Sequence, residues 1–302
     1  MKPNDRPGHV LLPVQIQYKL RWRHKTDHTR VIFDESPDMD ATQKYFKKCY
    51  VEWGEGKENK AIAEALSEIN LPTNIRYIVG FGLGSIAIGN ENGPKTCWER
   101  KKRCNCQHAM LLNLRDALQP HSKENIICIA QDPAYDETDV DVLDAVDIII
   151  LNDPDGLMVV TPNSVVVSIH PTAPVRAILA DFMVRPAMFI CDKLKDLSPS
   201  DPVLGSHNKN NTPTEDWESA RVRLMLEEEY ELIYEPPPDP GVMLFNIGFY
   251  LRKDIATDPV WLEAGYAADE DIPKKKPQKK KRKKKVYRLG TFNVCDRQTI
   301  SI

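Results

Sequence analysis

The 302-residue sequence has 41% hydrophobic and 28% charged residues, which is typical of a folded globular protein and excludes a wholly disordered chain. It has no apolar run of 18 residues and no apolar segment of a secretory signal near its start, so we expect an intracellular protein without a membrane segment. The net charge of −3 includes ten positive charges in residues 274–285, which leaves −13 (−3 less ten) for the remainder.

The first part of the chain predicts an extension, residues 1–59, made of a strand and a helix. Apolar and polar residues alternate over residues 13–24, which predicts a half-buried strand with a basic face in water. A nucleic-acid contact is the alternative for that face. Residues 40–53 and 59–70 have helical spacing, and the second helix should end before Pro72.

Residues 60–252 predict one α/β domain, Rossmann-like, with a mostly parallel sheet and flanking helices. Its strand-like segments are nearly all apolar, as strands covered on both faces require. Helical segments separate them, and right-handed crossovers fix the topology. The predicted strands are residues 75–80, 125–130, 146–151, 164–169 and 187–192, and the predicted helices are residues 106–118, 139–145 and 173–183.

The domain should close with a helix over residues 212–234, capped by Thr214, and a late strand over residues 242–251. Residues 253–302 then predict a basic, disordered tail. Its lysine-rich run suits nuclear import, nucleic-acid contact or a solvated tail without a partner. The import candidates are Lys279, Lys280, Lys281, Arg282, Lys283, Lys284 and Lys285. We expect nucleic-acid contact through the tail only, and a cytoplasmic or nuclear location.

The first strand runs into a glycine turn that contains Gly80, Gly82, Gly84 and Ser85, and Asp132 follows the second strand. In a Rossmann fold such a turn favours an anion, and the acid binds a ribose hydroxyl. The spacing here is G-x-G-x-G, however, and the acid follows about fifty residues later instead of about twenty. A plain strand-exit turn and a nucleotide-type ligand site therefore both remain open.

The same glycine spacing begins the binding motif of Rossmann-like methyltransferases. In those enzymes an acid usually stands two residues before the first glycine, and this sequence has Ile78 there. Residues 89–106 form an apparent insertion between the turn and the helix that would accept a phosphate. No cofactor can be named from these features.

The insertion carries Cys97, Cys104 and Cys106, with His108 close behind. Their spacing lacks the paired ligands of a zinc site, so we predict no metal and interpret the neighbouring "ERKKR" as an exposed basic loop. The total of seven cysteines is odd and several lie in apolar runs, which favours buried, reduced thiols.

Further polar candidates follow the third and fourth strands. Asn152 and Asp153 end the third strand and should project near Asp132, and His170 ends the fourth strand at the ligand-binding edge of α/β proteins. His170 can be an acid–base group, a ligand contact or a structural turn residue. We find no P-loop, nucleophile elbow or metalloprotease motif beside it.

The order of these motifs resembles the Sensitivity to Red Light Reduced family over roughly residues 60–252. The motifs that carry the resemblance are, in chain order, "GFGLGS", "CQHAMLL" with Gln107 and Ala109, "QDPAY" with Asp132 and Pro133, "LNDPDG", "SIHP" with His170, "FICDK", and "FNIGFYL" with Asn246. Two positions depart from the family. The histidine precedes the proline where many members read Met-Pro-His-Cys, and Cys191-Asp192-Lys193 replaces a turn closer to Gly-Asn-Ser.

The resemblance implies a regulatory protein. Its members are linked to light and circadian signalling, to control of haem biosynthesis, to growth and to microtubule-related phenotypes, and no agreed reaction or ligand comes with them. We therefore expect a non-enzymatic regulatory protein with regulatory protein partners, which senses a small, nucleotide-like ligand at the strand ends. The alternative is a Rossmann-like enzyme that uses a dinucleotide or adenosyl methionine.

Overall fold

A computed structural model describes residues 38–87, 95–182, 184–194, 216, 218–237 and 243–253, with the side chains of 95–98 left out. The predicted strand over residues 13–24 and the import candidates Lys279–Lys285 lie outside these residues. The helices are α1 (Met39–Glu55), α2 (Lys57–Ser67), α3 (Lys95–Leu118), α4 (Glu137–Asp144), α5 (Asp155–Met158), α6 (Val175–Asp181) and α7 (Ala220–Glu229). The strands are β1 (Tyr77–Phe81), β2 (Ile127–Gln131), β3 (Ile148–Ile150), β4 (Ser164–Ser168), β5 (Met188–Asp192), β6 (Tyr230–Tyr234) and β7 (Ile247–Arg252).

The seven strands form one sheet in the order β3-β2-β1-β4-β5-β7-β6. The first five are parallel, and β7 runs antiparallel to both β5 and β6. Every residue of β1, β4 and β5 is buried, as their apolar sequences require. The predicted α/β class with a mostly parallel sheet is confirmed.

The segment 212–234, predicted as a single helix, divides into two elements. The helix α7 begins after Ser219, whose hydroxyl accepts the backbone N–H of Val222, so among the described residues Ser219 takes the capping role predicted for Thr214. The helix ends at Glu229, because "YELIY" is rich in the aromatic and β-branched residues of strands and pairs with β7 as β6.

The basic segment "ERKKR" is part of α3, which begins at Lys95, so the prediction of an exposed loop there was wrong. The helix shows no clear amphipathic period, because residues 104–112 are buried on every side. Lys101 is itself buried, with its ammonium 5.1 Å from the centre of the Tyr45 ring. A cation over an aromatic face keeps its charge stabilised there.

The helix α1 lies against α3 and supplies part of the main apolar core. Asp38 caps α1 by accepting the backbone N–H of Asp40, and Phe46, Cys49 and Trp53 are buried in the core. The described cysteines, Cys49, Cys104, Cys106, Cys128 and Cys191, are free and buried thiols. Within the described ranges, none of the helices is both long and apolar enough to cross a membrane.

Candidate functional site at the carboxyl edge of the sheet

The parallel strands end in register, which brings their following residues to one edge. Phe81 of β1 lies level with Gln131 of β2 and with Ser168 of β4, and Ser168 lies level with Cys191 of β5. The chain leaves β1 between β2 and β4, at the point where the strand order reverses. Open α/β sheets bind ligands in the crevice at this point.

The glycine turn after β1 is packed against the protein's own side chains. Gly82 and Gly84 have left-handed backbones, with φ of 69° and 74°. A Cβ at Gly82 would lie 3.0 Å from Cβ of Pro171, and a Cβ at Gly84 would lie 2.5 Å from Sγ of Cys104. A Cβ at Gly80 would lie 2.6 Å from Cδ1 of the buried Leu83. These glycines allow close packing of the turn.

Asp132 holds this turn in place. Its Oδ2 accepts the backbone N–H of Gly84 at 2.7 Å, and its Oδ1 accepts the backbone N–H of Ala134 at 2.7 Å. Burial raises the pKa of the carboxyl group, while the two N–H donors and the charge of Arg100 oppose that rise. The acid predicted to bind a ribose hydroxyl thus bonds to the glycine turn itself.

The backbone amides beyond the glycines bind an anion that belongs to the protein. Oδ1 of Asp139 accepts the hydroxyl of Ser85 at 2.9 Å and the backbone N–H groups of Ile86 and Ala87 at 2.9 and 3.0 Å. Its Oδ2 accepts the backbone N–H of Asp136 at 2.9 Å and completes the capping box of α4. Burial raises the pKa of Asp139, and these donors act in the opposite direction.

His108 lies beneath the turn as a neutral, fully buried side chain. Its Nδ1 lies 2.7 Å from the carbonyl oxygen of Cys104, which can only accept, so Nδ1 carries the proton. Its Nε2 then accepts the hydroxyl of Tyr135 at 2.8 Å. Burial lowers the pKa of His108 to about 4. Both ring nitrogens are therefore used within the protein.

His170 pairs with Asp192 at the ends of β4 and β5. Nδ1 of His170 forms an ion pair with Oδ1 of Asp192, and its Nε2 lies 3.1 Å from the carbonyl oxygen of Phe245. The carbonyl oxygen of Phe245 accepts, so Nε2 donates to it, and the carboxylate of Asp192 favours the protonated ring. Asp192 is the main cause that raises the pKa of His170. The histidine has a left-handed backbone, with φ of 46°, and its side chain is 33% exposed.

Sequence reasoning did not select Asp192 or its buried neighbour Arg176. Nη1 of Arg176 donates to the carbonyl oxygen of Asp192 at 2.9 Å, and its Nε donates to Oδ2 of Asp216 at 3.0 Å. The only signal in the sequence was the position of Asp192 at a strand end, in the "FICDK" motif. Arg176 and Asp216 are forty residues apart, and no local pattern links them.

The turn after β3 adjoins the end of β2, as expected from the pairing of these strands. Asn152 and Asp153 are exposed, and Oδ1 of Asp153 accepts Nε2 of Gln131 at 3.0 Å. Oε1 of Gln131 accepts the backbone N–H of Gly156 at 2.7 Å. Gln131 directly precedes Asp132, so Asp153 reaches the same strand end through Gln131.

The structure also has a groove outside the predicted site. A groove of about 290 Å³ is lined by residues of α7, β6 and β7 and by Lys193 and Leu194, and none of the predicted site residues lines it. In the described part of the chain, no group of three or more His, Cys, Asp and Glu side chains is placed to hold a metal ion.

The comparisons with known proteins agree with the motif order. The SRR1 domain matches residues 62–287, which is most of the chain. Neither a curated protein nor a solved structure matches the sequence. The match begins within α2, so α1 precedes it. The chain therefore belongs to the SRR1 domain family.

Proposed function

We propose that this SRR1 domain protein is a non-enzymatic regulatory protein that senses a small ligand at the carboxyl edge of its sheet. The observation that carries the proposal is that the glycine turn makes its hydrogen bonds and packing contacts with the protein's own residues. Asp132 and Asp139 occupy backbone donors that a phosphate cradle would offer to a cofactor, and Pro171 and Cys104 close the space beside the glycines. A dinucleotide whose phosphates bind at the glycine turn would need those donors free.

His170 is the residue that we expect to contact the ligand. Its side chain is partly exposed at the crevice, and Asp192 beside it raises its pKa and so favours the positively charged ring. A left-handed backbone at a residue other than glycine costs free energy, and such strain is concentrated at binding and catalytic sites. The family links to light and circadian signalling, haem-biosynthesis control and growth make a nucleotide-like compound or a pathway metabolite the ligand to test, and regulatory proteins the partners.

A thermal-shift screen of the full chain with dinucleotides, adenosyl cofactors and haem-pathway metabolites tests ligand sensing. Gly82→Val is a poor probe of the site, because its side chain would meet Pro171 in a strained backbone. His170→Asn is better, since asparagine tolerates the left-handed region. We expect a compound that raises the melting temperature of the wild type and of the control variant His121→Asn, but not of His170→Asn. His121 is an exposed residue in the short 3-10 helix that follows α3.

If no compound shifts the melting temperature, ligand sensing is wrong, and the regulatory role then depends on protein partners alone. Affinity capture with the wild type and with variants of the edge residues would then be the measurement that defines them.

The second candidate is a Rossmann-like enzyme that uses a dinucleotide or adenosyl methionine. The reversal of strand order beside β1 favours it, because open α/β sheets bind nucleotide cofactors at that point, although fold alone does not assign a reaction. The His170–Asp192 pair would be its acid–base group. Turnover of a bound cofactor by the wild type, abolished in Asp192→Asn, would favour this candidate. Stabilisation without turnover favours the regulatory role.

A further inference from the structure

The glycine turn places two basic side chains beside the same crevice. Cys104 of α3 packs against Gly84, and the exposed Arg103 precedes it. Pro171 packs against Gly82, two residues earlier in the turn, and His170 precedes that proline. The charge of Arg103 also acts on His170, where it lowers the pKa against the larger effect of Asp192. Arg103 and His170 therefore flank the turn from two different elements.

The charged side chains at this edge are of both signs. Its basic side chains are Arg100, Arg103 and His170, and its carboxylates are Asp132, Asp139 and Asp192. Asp132 accepts two backbone N–H groups, and Asp192 is paired with His170. Arg103 has no carboxylate partner among the residues that the structure describes. A small anion would pair with Arg103.

We propose that Arg103 and His170 together bind the phosphate group of a small metabolite at the mouth of the crevice. The proposal rests on the ligand-sensing function above and names its chemistry. The guanidinium offers a planar pair of donors to phosphate oxygens. Nε2–H of His170 exchanges the carbonyl of Phe245, a neutral acceptor at 3.1 Å, for the charged phosphate. The amides of Ile86 and Ala87 take no part, because Asp139 occupies them.

This exchange also explains how binding could be sensed. The carbonyl of Phe245 belongs to the 243–246 turn that leads into β7, and Asn246 there has a left-handed backbone with φ of 59°. The carbonyl of Asn246 in turn accepts the backbone N–H of Lys193 at 2.8 Å, just after β5. Releasing His170 from this turn changes the contacts that join β5 to β7.

The test is calorimetric titration of the full chain with sulfate and with inorganic phosphate at constant ionic strength. Sulfate keeps its charge between pH 6 and 8, so a loss of sulfate affinity as the pH rises reports loss of the imidazolium proton. We expect Arg103→Gln and His170→Asn each to weaken binding about tenfold or more, since each removes a charge-assisted contact. His170→Asn should also remove the pH dependence.

Lys102→Gln is the matched control. It removes one positive charge from the residue that precedes Arg103, but Lys102 lies near Glu52 of α1, so we expect sulfate affinity to change less than twofold. Acetate, a carboxylate, should bind at least tenfold more weakly than phosphate. Equal loss in Lys102→Gln and Arg103→Gln, or binding that both site variants retain, overturns the proposal. A metabolite that still stabilises both variants would refute this site while leaving ligand sensing intact.

Discussion

The carboxylate of Asp139 should be a principal determinant of the glycine turn's stability, and Asp139→Ala tests this. The side chain is wholly buried and accepts four donors: the hydroxyl of Ser85 and the backbone N–H groups of Ile86, Ala87 and Asp136. The alanine variant leaves these donors without an acceptor in a place that water reaches poorly. Removing an acceptor costs more than the net value of the bonds for this reason.

The expected loss in the free energy of unfolding follows from these contacts. A hydrogen bond to a charged group contributes about 1.5–3 kcal/mol, and removing one member of a buried charged network costs about 3–5 kcal/mol in total, because such contributions are not additive. We therefore expect Asp139→Ala to lower the free energy of unfolding by about 3–5 kcal/mol. Asp139→Asn retains one acceptor oxygen and should cost about half as much. Whole domains are stable by only about 5–15 kcal/mol, so the alanine variant is close to unfolding.

The measurement is urea denaturation of the full chain, followed by circular dichroism. The control is Asp141→Ala, an exposed position two residues further along α4, where we expect a change within about 0.5 kcal/mol. Formate is a second readout: added formate should stabilise Asp139→Ala more than the wild type, since it can fill the vacated cradle. If the free energies of unfolding of Asp139→Ala and Asp141→Ala differ by less than about 1 kcal/mol, the hydrogen bonds of Asp139 do not determine the stability of the turn.

Four further outcomes are expected. Gly84→Ala should lower the free energy of unfolding by more than about 2 kcal/mol, because its Cβ would lie 2.5 Å from Sγ of Cys104. In a Cys104→Ala background that clash is absent, and only the left-handed backbone cost of about 1–2 kcal/mol should remain. Equal losses in both backgrounds, measured by denaturation, would contradict the packing of Cys104 against the turn. His108 has a pKa lowered to about 4, so stability should fall by about 3 kcal/mol as the pH drops from about 6.5 to 4, and His108→Gln should lack that slope. The pKa of His170 is raised in the folded state. Protonated His170 therefore stabilises the folded protein fully below about pH 6.5, and this stabilisation is lost as the pH rises through the folded-state pKa. If the melting temperature of His170→Asn falls with rising pH as steeply as that of the wild type, this prediction is wrong. Deleting residues 274–285 should abolish nuclear accumulation if they act in import, whereas a lost, salt-dependent affinity for DNA or RNA would indicate nucleic-acid binding.

The sheet could be predicted because its strands are short, continuous apolar runs separated by helical segments. The second half of the domain was harder. Within the segment 212–234, the strand-forming residues of "YELIY" make a run too short to be told from the end of a helix, and pairing with β7 makes it a strand. The start of α3 was missed because residues 99–103 are all charged and therefore show no apolar period to detect.

The sequence placed the candidate residues at the carboxyl edge of the sheet, but it did not predict which side chains contact each other there. His170 and Asp132 were both selected from strand ends, yet His170 forms an ion pair with Asp192, and Asp132 accepts a backbone N–H of the glycine turn. Those partners depend on how far each strand extends and on left-handed turns, as at His170. Asp139 was absent from the selection because an aspartate near the start of a helix is ordinary for capping. Its second role depends on a loop about fifty residues away.

The position of α1 has a practical consequence for recombinant work. A fragment limited to residues 62–287 would lack the helix that carries Phe46 and Trp53, and would uncover the apolar side of α3 that they contact. Freshly exposed apolar surface of that kind promotes aggregation. Expression should therefore begin at or before Asp38, where the helix is capped, and poor solubility of a shorter fragment would reflect a missing structural layer instead of an unstable family domain.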